Sequence, residues 1–423
     1  MNAPTENEPT PAQGNLATRY RRLRGRTEAL AEPLSEGDMT VQSMDDASPT
    51  KWHLAHTTWF FEEFLLAPAL PGYRLFADDY RYLFNSYYES VGPRHPRPRR
   101  GLLTRPPLAE ILAYRRAVDE AMASLFTGGI APATAALVEL GLQHEEQHQE
   151  LLLTDILHLF AQNPLAPAYR PVLSPGEPAG SAPPPAWVEF AGGQAEIGHG
   201  GKGFAFDCEG PRHAVLLRPY ALAGRPVSNG EWLEFMADGG YRQATLWLSD
   251  GWARVRAEDW SAPLYWENRD GEWWQMSLRG RQRVDGQAPV CQISYFEADA
   301  FARWAGKRLP TEWEWENAAT GLPVAGNFLA SGQLQPGPAG GEGLQQLYGD
   351  VWEWTASAFL PYPGFRPAPG AVGEYNGKFM CGQFVLRGGS CASPESHLRP
   401  TYRNFFYPHQ RWQFSGLRLA DDR

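Results

Sequence analysis

No run of about 20 consecutive apolar residues occurs in this 423-residue chain, so no transmembrane helix is expected. Cysteine is scarce. Cys208, Cys291, Cys381 and Cys391 have no CxxC spacing, and they read as free thiols in a reducing cytoplasm rather than as a disulfide framework. Positive charge is in deficit, with 38 Lys and Arg against 48 Asp and Glu, for a net charge of −10. That balance argues against a general binder of nucleic acid or of membrane surfaces. Residues 1–16 are polar and Pro-containing with no apolar centre. They do not form a signal peptide and are expected as a disordered tail.

What is present reads as a folded protein of two or three domains, 43% hydrophobic and 20% charged. Residues 17–162 carry four long helical patterns, at 18–32, 52–66, 107–125 and 131–160, which predict an antiparallel four-helix bundle. Pro49 and Pro132 stand where the second and fourth helices should start. A stretch rich in Pro, Gly, Ala and Ser at 163–186 reads as a linker. From residue 187 to 423 the chain turns to Gly, Trp and short strand-like runs, such as 187–190, 213–217 and 384–387. Two helices are expected there, at 229–237 and 295–305. The fold class is therefore an α domain followed by an irregular α+β domain, with most of the 16 tryptophans serving as core anchors.

The segment Leu142-Gln-His-Glu-Glu-Gln-His-Gln-Glu150 sets His144 and His148 four residues apart in a helical pattern. At about 100° per residue, both imidazoles share one face, one turn apart, and can bind one divalent transition metal. Glu150 lies two residues past His148 and points elsewhere. The same spacing also occurs on solvated faces, so the pair alone leaves the metal reading open. The best third candidate is His56, in Trp52-His-Leu-Ala-His56, on a segment suited to a partner helix. His53 and His158 also qualify on spacing. Imidazole ligands point to Fe, Zn, Cu or Ni without choosing among them.

Ordered motifs after residue 187 resemble the formylglycine-generating enzyme (sulfatase-modifying factor) fold, itself similar to C-type lectins. They are Gly210-Pro-Arg-His213, Pro226-Val-Ser-Asn229, Trp304-Ala-Gly-Lys-Arg-Leu-Pro-Thr-Glu-Trp-Glu-Trp315, Gly349-Asp-Val-Trp-Glu-Trp-Thr355 and Leu386-Arg-Gly-Gly-Ser390. The paired catalytic cysteines of formylglycine generators are missing, because Cys391 is followed by Ala392 and Ser393. Peptidyl-cysteine oxidation is therefore not expected. The first half resembles the DinB-like four-helix bundle, with its His-x3-His-x-Glu pattern. The two together, with Leu83-Phe-Asn-Ser-Tyr-Tyr-Glu-Ser-Val-Gly92 and Thr401-Tyr-Arg-Asn-Phe-Phe-Tyr-Pro408, resemble the ergothioneine sulfoxide synthases (EgtB) over nearly the whole chain.

That resemblance implies a non-haem iron(II) held by His56, His144 and His148, at the seam between bundle and C-terminal domain. It also implies dioxygen-dependent joining of a thiol to the imidazole carbon of hercynine (trimethylated histidine), with a sulfoxide as product. Tyr87 or Tyr88 would then protonate reduced oxygen species; their other reading is an aromatic packing wedge. Arg94 and Arg97, in Gly92-Pro-Arg-His-Pro-Arg-Pro-Arg-Arg-Gly101, match the arginines that hold the thiol substrate, with Arg99 and Arg100 as fallback choices. Gln147 is expected to reach the substrate imidazole or carboxylate. Asn404, Phe405 and Phe406 are expected to line the pocket, with aromatic faces for the trimethylammonium group. Phe406 stands where the γ-glutamylcysteine-using branch has an acidic residue, which makes plain cysteine the expected sulfur donor. The partners implied are small molecules in the cytoplasm, with no nucleic acid and no membrane. Three other readings compete with it: an ovothiol-type synthase, which would need an additional methyltransferase domain; a selenoneine synthase using a selenosugar donor; and a non-catalytic metal-stabilised binding module.

Overall fold

The computed structural model describes residues 11–171, 180–368 and 371–423. Residues 1–10 of the expected tail and 172–179 of the expected linker lie outside the described residues. The chain divides into two compact units, Met1–Gln162 and Asn163–Arg423. No helix among the described residues is long and apolar enough to cross a membrane.

The first unit is helical. Its helices are α1 (Pro11–Ala31), the short α2 (Glu36–Thr40), α3 (Thr50–Phe61), α4 (Ala67–Ala69), α5 (Tyr80–Phe84), α6 (Leu108–Thr127) and α7 (Pro132–Ala161). The four long patterns of the sequence correspond to α1, α3, α6 and α7. α1 begins earlier than expected, at Pro11, so residues 11–16 are helical rather than part of a tail. Pro132 occupies the first turn of α7 and Pro49 sits at the N-cap of α3, where a missing N–H costs nothing. α3 continues into a π-helical turn, Glu62–Leu66.

Every residue of α3 is buried, polar ones included. A helix surrounded on all sides needs internal partners for its polar groups, and Arg24, Arg115 and Glu145 supply them. Arg24 of α1 donates to Asp119 of α6, Glu145 of α7 and Thr58 of α3. Arg115 of α6 donates to Glu145 and to Leu54 O, Thr57 and Thr58 of α3. Although burial alone would raise Glu145, Arg24 and Arg115 hold its carboxyl down at about 2, so it stays ionised. The network ties all four helices at the residue beside His144. α7 and α3 also approach closely at Gly141, where an added Cβ would lie 2.6 Å from the Phe61 ring.

The second unit is α+β. It runs β1 (Trp187–Phe190), β2 (Gly193–Ile197), β3 (His213–Leu217), β4 (Tyr220–Ala223), α8 (Asn229–Ala237) and α9 (Ser249–Glu258), then β5 (Trp266–Arg269), β6 (Glu272–Ser277) and β7 (Gly280–Arg283). α10 (Tyr295–Trp304), α11 (Glu312–Ala319), β8 (Trp352–Ala358), β9 (Phe384–Arg387), β10 (Asn404–Phe406), β11 (Ser415–Gly416) and β12 (Ala420–Asp422) follow. The strands form four small sheets, ordered β1-β4-β12, β10-β9-β8-β11, β2-β3 and β5-β6-β7. The three strands expected from sequence are β1, β3 and β9, and the two expected helices are α8 and α10. α9 and α11 are additional. α11 opens with a capping box, Thr311 to Glu314, as α8 and α10 do with Ser228 to Glu231 and Ser294 to Glu297.

None of the 16 tryptophans is exposed. The recurring motifs are one another's partners. Arg387 of the Arg-Gly-Gly-Ser motif donates to Glu312 and Glu316 of the Glu-Trp-Glu-Trp helix. Glu353 accepts from Trp315 and Arg418. Gly388 has φ +99° and a Cβ there would meet Leu347 O at 2.5 Å, so only glycine fits the turn after β9. These residues serve as scaffold.

Candidate metal centre

α7 carries His144 and His148 one turn apart, and α3 carries His56. One ring nitrogen from each lies within 4.8 Å of the others, and all three residues are buried. His56 Nε2 and His144 Nε2 are 3.2 Å apart. Two nitrogens each about 2.1 Å from one ion, at roughly 90–110°, would stand about 3.0–3.4 Å apart, so this spacing fits two ligands of one metal.

The surroundings set the charge and tautomer of the donors. His56 Nδ1 lies 2.6 Å from Phe84 O, the last carbonyl of α5, which has no partner within its helix. A carbonyl only accepts, so Nδ1 carries the proton and Nε2 the lone pair. The imidazole is stacked between Trp52 at 4.5 Å and Trp59 at 5.7 Å, one turn away on either side of it on α3. Burial, then the neighbouring His144, pushes His56 well below the usual imidazole range. Burial takes His144 down to about 3, and burial with His144 and His56 lowers His148 strongly. All three are neutral at pH 7, the state that binds a metal ion.

The alternative ligands occupy other roles. His53 Nδ1 is 2.8 Å from His148 Nδ1, and its Nε2 is 3.1 Å from Asp155 Oδ2. His158 Nδ1 meets Ser43 Oγ at 2.7 Å. Glu150 is not in the cluster, in keeping with its angular offset.

One loop serves the cluster from α5 onward. Asn85 is fully buried and clamps the turn, its amide bonding Tyr88 O and N. Tyr88 is buried against Phe64, Trp59 and the half-buried Tyr87. Trp59 and Phe60 in turn pack on His56 and His144, at 5.7 and 4.7 Å. Gln147 is half-buried on α7.

The arginines separate clearly. Arg94 pairs with Glu89, and Arg97 is exposed in a 3-10 turn, Arg97–Leu102. Arg100 is the one turned inward. It is 2% exposed, stacked 3.4 Å over Trp52, and donates only to the hydroxyls of Ser48 and Ser86, with Nε unsatisfied. Burial and the nearby Arg97 push the guanidinium down from its ordinary value. Such a group stays charged. Asp155 attracts it electrostatically, yet among the described residues its hydrogen bonds go only to hydroxyls, so it is set up to take an anion. A run such as Pro-Arg-Pro-Arg-Arg has no period that marks its inward member, so the sequence favours Arg94 and Arg97 while the structure turns Arg100 inward.

In the second unit, Asn404, Phe405 and Phe406 form β10, paired with β9. Phe405 stacks on Phe359 at 4.0 Å, whereas Phe406 meets Trp412 edge-on. Alternation puts Asn404 and Phe406 on the opposite face from Phe405. A groove of about 550 Å³ bordered by Tyr20, Arg21, Asp119 and Phe126 shares no residue with the histidine cluster.

Comparison with known proteins agrees with this layout. The DinB superfamily model matches residues 19–152. The sulfatase-modifying factor enzyme 1-like domain model matches residues 175–339 and 338–423. A hercynine oxygenase of Mycobacterium tuberculosis is 33% identical, over 96% of this chain and 98% of its own. That of Mycolicibacterium smegmatis is also 33% identical, over 97% of this chain and 99% of its own. A formylglycine-generating enzyme of Streptomyces coelicolor is 29% identical, over 61% of this chain and 96% of its own. With such identity along nearly the full length of both chains, and with both component domains in order, this chain belongs to the hercynine oxygenase (EgtB) family.

Proposed function

We propose that the protein is a dioxygen-dependent hercynine oxygenase that uses iron(II), bound by His56, His144 and His148, to join the sulfur of cysteine to the imidazole carbon of hercynine as a sulfoxide. The observation that carries this reading is the buried cluster of three histidines in a chain whose full-length relatives are named hercynine oxygenases. Bound iron would supply the redox change and coordination positions beyond its three protein ligands, which a closed zinc site would not.

The chain's own groups divide the remaining work. Arg100 holds a substrate carboxylate, its guanidinium fixed in place by Trp52, Ser48 and Ser86. In this reading Arg94 and Arg97 act at the rim, since one is already paired and the other is exposed. The Tyr87–Tyr88 pair supplies a phenolic O–H as proton donor, and Gln147 orients substrate from α7. Of the β10 residues, Asn404 and Phe406 are the ones proposed for hercynine, because Phe405 already uses a ring face on Phe359. Phe406 in place of an acidic residue supports cysteine over γ-glutamylcysteine. The four free thiols support a reducing, cytoplasmic setting.

Anaerobic reconstitution with iron(II), followed by an oxygen-electrode assay with hercynine and either cysteine or γ-glutamylcysteine, tests the proposal. Oxygen uptake and sulfoxide formation that require iron, hercynine and cysteine are expected. Uptake without hercynine, or with zinc in place of iron, would overturn it, and a preference for γ-glutamylcysteine would overturn the choice of donor.

A further inference from the structure

We propose that His53 and Asp155 are positioning residues that hold His148 in its metal-binding tautomer, and that they thereby set the affinity of the three-histidine site for a divalent metal. The inference rests on the metal-site reading above and deepens it. His144, His148 and Asp155 lie at about 0°, 40° and 20° on the α7 wheel, one continuous stripe. His53 lies three residues before His56 on α3, so the two helices face each other through these five side chains.

The contacts allow one arrangement of protons when both imidazoles are neutral. Asp155 already accepts the Ser48 N–H at 2.8 Å, and as a carboxylate it can only accept from His53 Nε2, 3.1 Å away. The His53 proton is therefore on Nε2, and its Nδ1 is an acceptor. At 2.8 Å from that acceptor, His148 Nδ1 must be the donor. His148 then has its lone pair on Nε2, the form a metal requires, and its ring orientation is fixed by two buried hydrogen bonds in series. All of these groups are buried, so water does not substitute for a missing partner without rearrangement. Outer partners of this kind typically govern metal affinity by about 10- to 100-fold.

The same carboxylate is linked to the arginine site. Ser48 donates its N–H to Asp155 while its hydroxyl accepts from Arg100. One residue thus ties the support of a metal ligand to the cation proposed to hold substrate.

The test uses the full-length apoprotein and cobalt(II), with affinity read by chelator competition, ligand geometry by the visible d–d spectrum, and folding by the thermal melt without metal. His53→Leu should weaken cobalt binding about 10- to 100-fold and alter the spectrum. His53→Gln should recover most of the affinity, because its amide oxygen can accept from His148 Nδ1–H while its NH2 donates to Asp155. Asp155→Asn should weaken binding in the same direction as His53→Leu. Parental affinity in His53→Leu or in Asp155→Asn would overturn the relay, as would equal weakening in the Leu and Gln variants. If His53→Leu does not fold, the near-isosteric Asp155→Asn decides alone. Failure of the parent protein to bind cobalt would overturn the three-histidine site itself, and the relay with it, which separates the two failures.

Discussion

Replacing Arg100 by glutamine removes one charge from the interior and keeps a donor for Ser48 or Ser86. If Arg100 holds a substrate carboxylate, the variant loses a buried charge-assisted pair, typically about 2–5 kcal/mol. At about 1.4 kcal/mol per tenfold, that is a rise of roughly 30- to 4,000-fold in the cysteine concentration required. Stability should move differently. The variant gives up a cation–π contact with Trp52 of about 1–2 kcal/mol and a hydrogen bond of about 1 kcal/mol. It is relieved of burying a cation, a penalty of several kcal/mol in real proteins. The apoprotein should therefore melt at or above the parental temperature while binding cysteine poorly. Anaerobic cysteine titration of the metal-loaded protein, apparent KM in oxygen uptake and a thermal melt read the three quantities. Arg94→Gln is the control, since its exposed pair with Glu89 is worth at most about 1 kcal/mol. A melt several degrees lower with unchanged cysteine affinity would refute the reasoning and make Arg100 a packing residue. The same loss of affinity in Arg94→Gln would move the substrate contact to the rim.

Four further outcomes are expected. His56→Ala should bind iron(II) far more weakly than the parent by metal analysis after desalting, and full occupancy would return His53 as the ligand. Glu145→Leu leaves Arg24 and Arg115 buried without their shared carboxylate and should cost about 3–5 kcal/mol in urea unfolding; a loss below about 1 kcal/mol would mean the network is ornamental. The apoprotein should lose stability as pH falls from about 7 towards 5, because the unfolded histidines protonate near their usual value of about 6.5 while the buried, depressed His56, His144 and His148 do not. The slope is at most about 1.4 kcal/mol per pH unit for each histidine, and a flat apoprotein melt across that window would contradict the depressed values. Among Tyr87→Phe and Tyr88→Phe, at least one should retain cobalt binding yet lose sulfoxide formation, and parental rates in both would leave the pair as packing.

Much of this protein was determined by local pattern. The 3.6-residue period placed His144 and His148 on one face of α7, and the change from long helical periods to Gly- and Trp-rich runs separated the bundle from the α+β unit. A capping box at Thr311–Glu314 announced α11, yet its short length hid it among the turns of that region. What the tertiary structure decided was the role of each member of a group that the sequence leaves equivalent. His53, His56 and His158 are alike by spacing. His56 becomes a ligand candidate because Phe84 O accepts the hydrogen bond of its Nδ1–H and leaves the lone pair on Nε2, whereas His53 is drawn to Asp155 and His158 meets Ser43. Arg94, Arg97, Arg99 and Arg100 are alike by composition, and only the turn of the 3-10 segment buries Arg100 against Trp52. Glu145 looks like a surface acid in a polar run until α1 and α6 bring Arg24 and Arg115 to it. Periodicity states which side chains share a face. Which proton a histidine keeps, and which charge is taken out of water, depends on partners about 30 to 120 residues away in the chain, and those meet only when the helices pack.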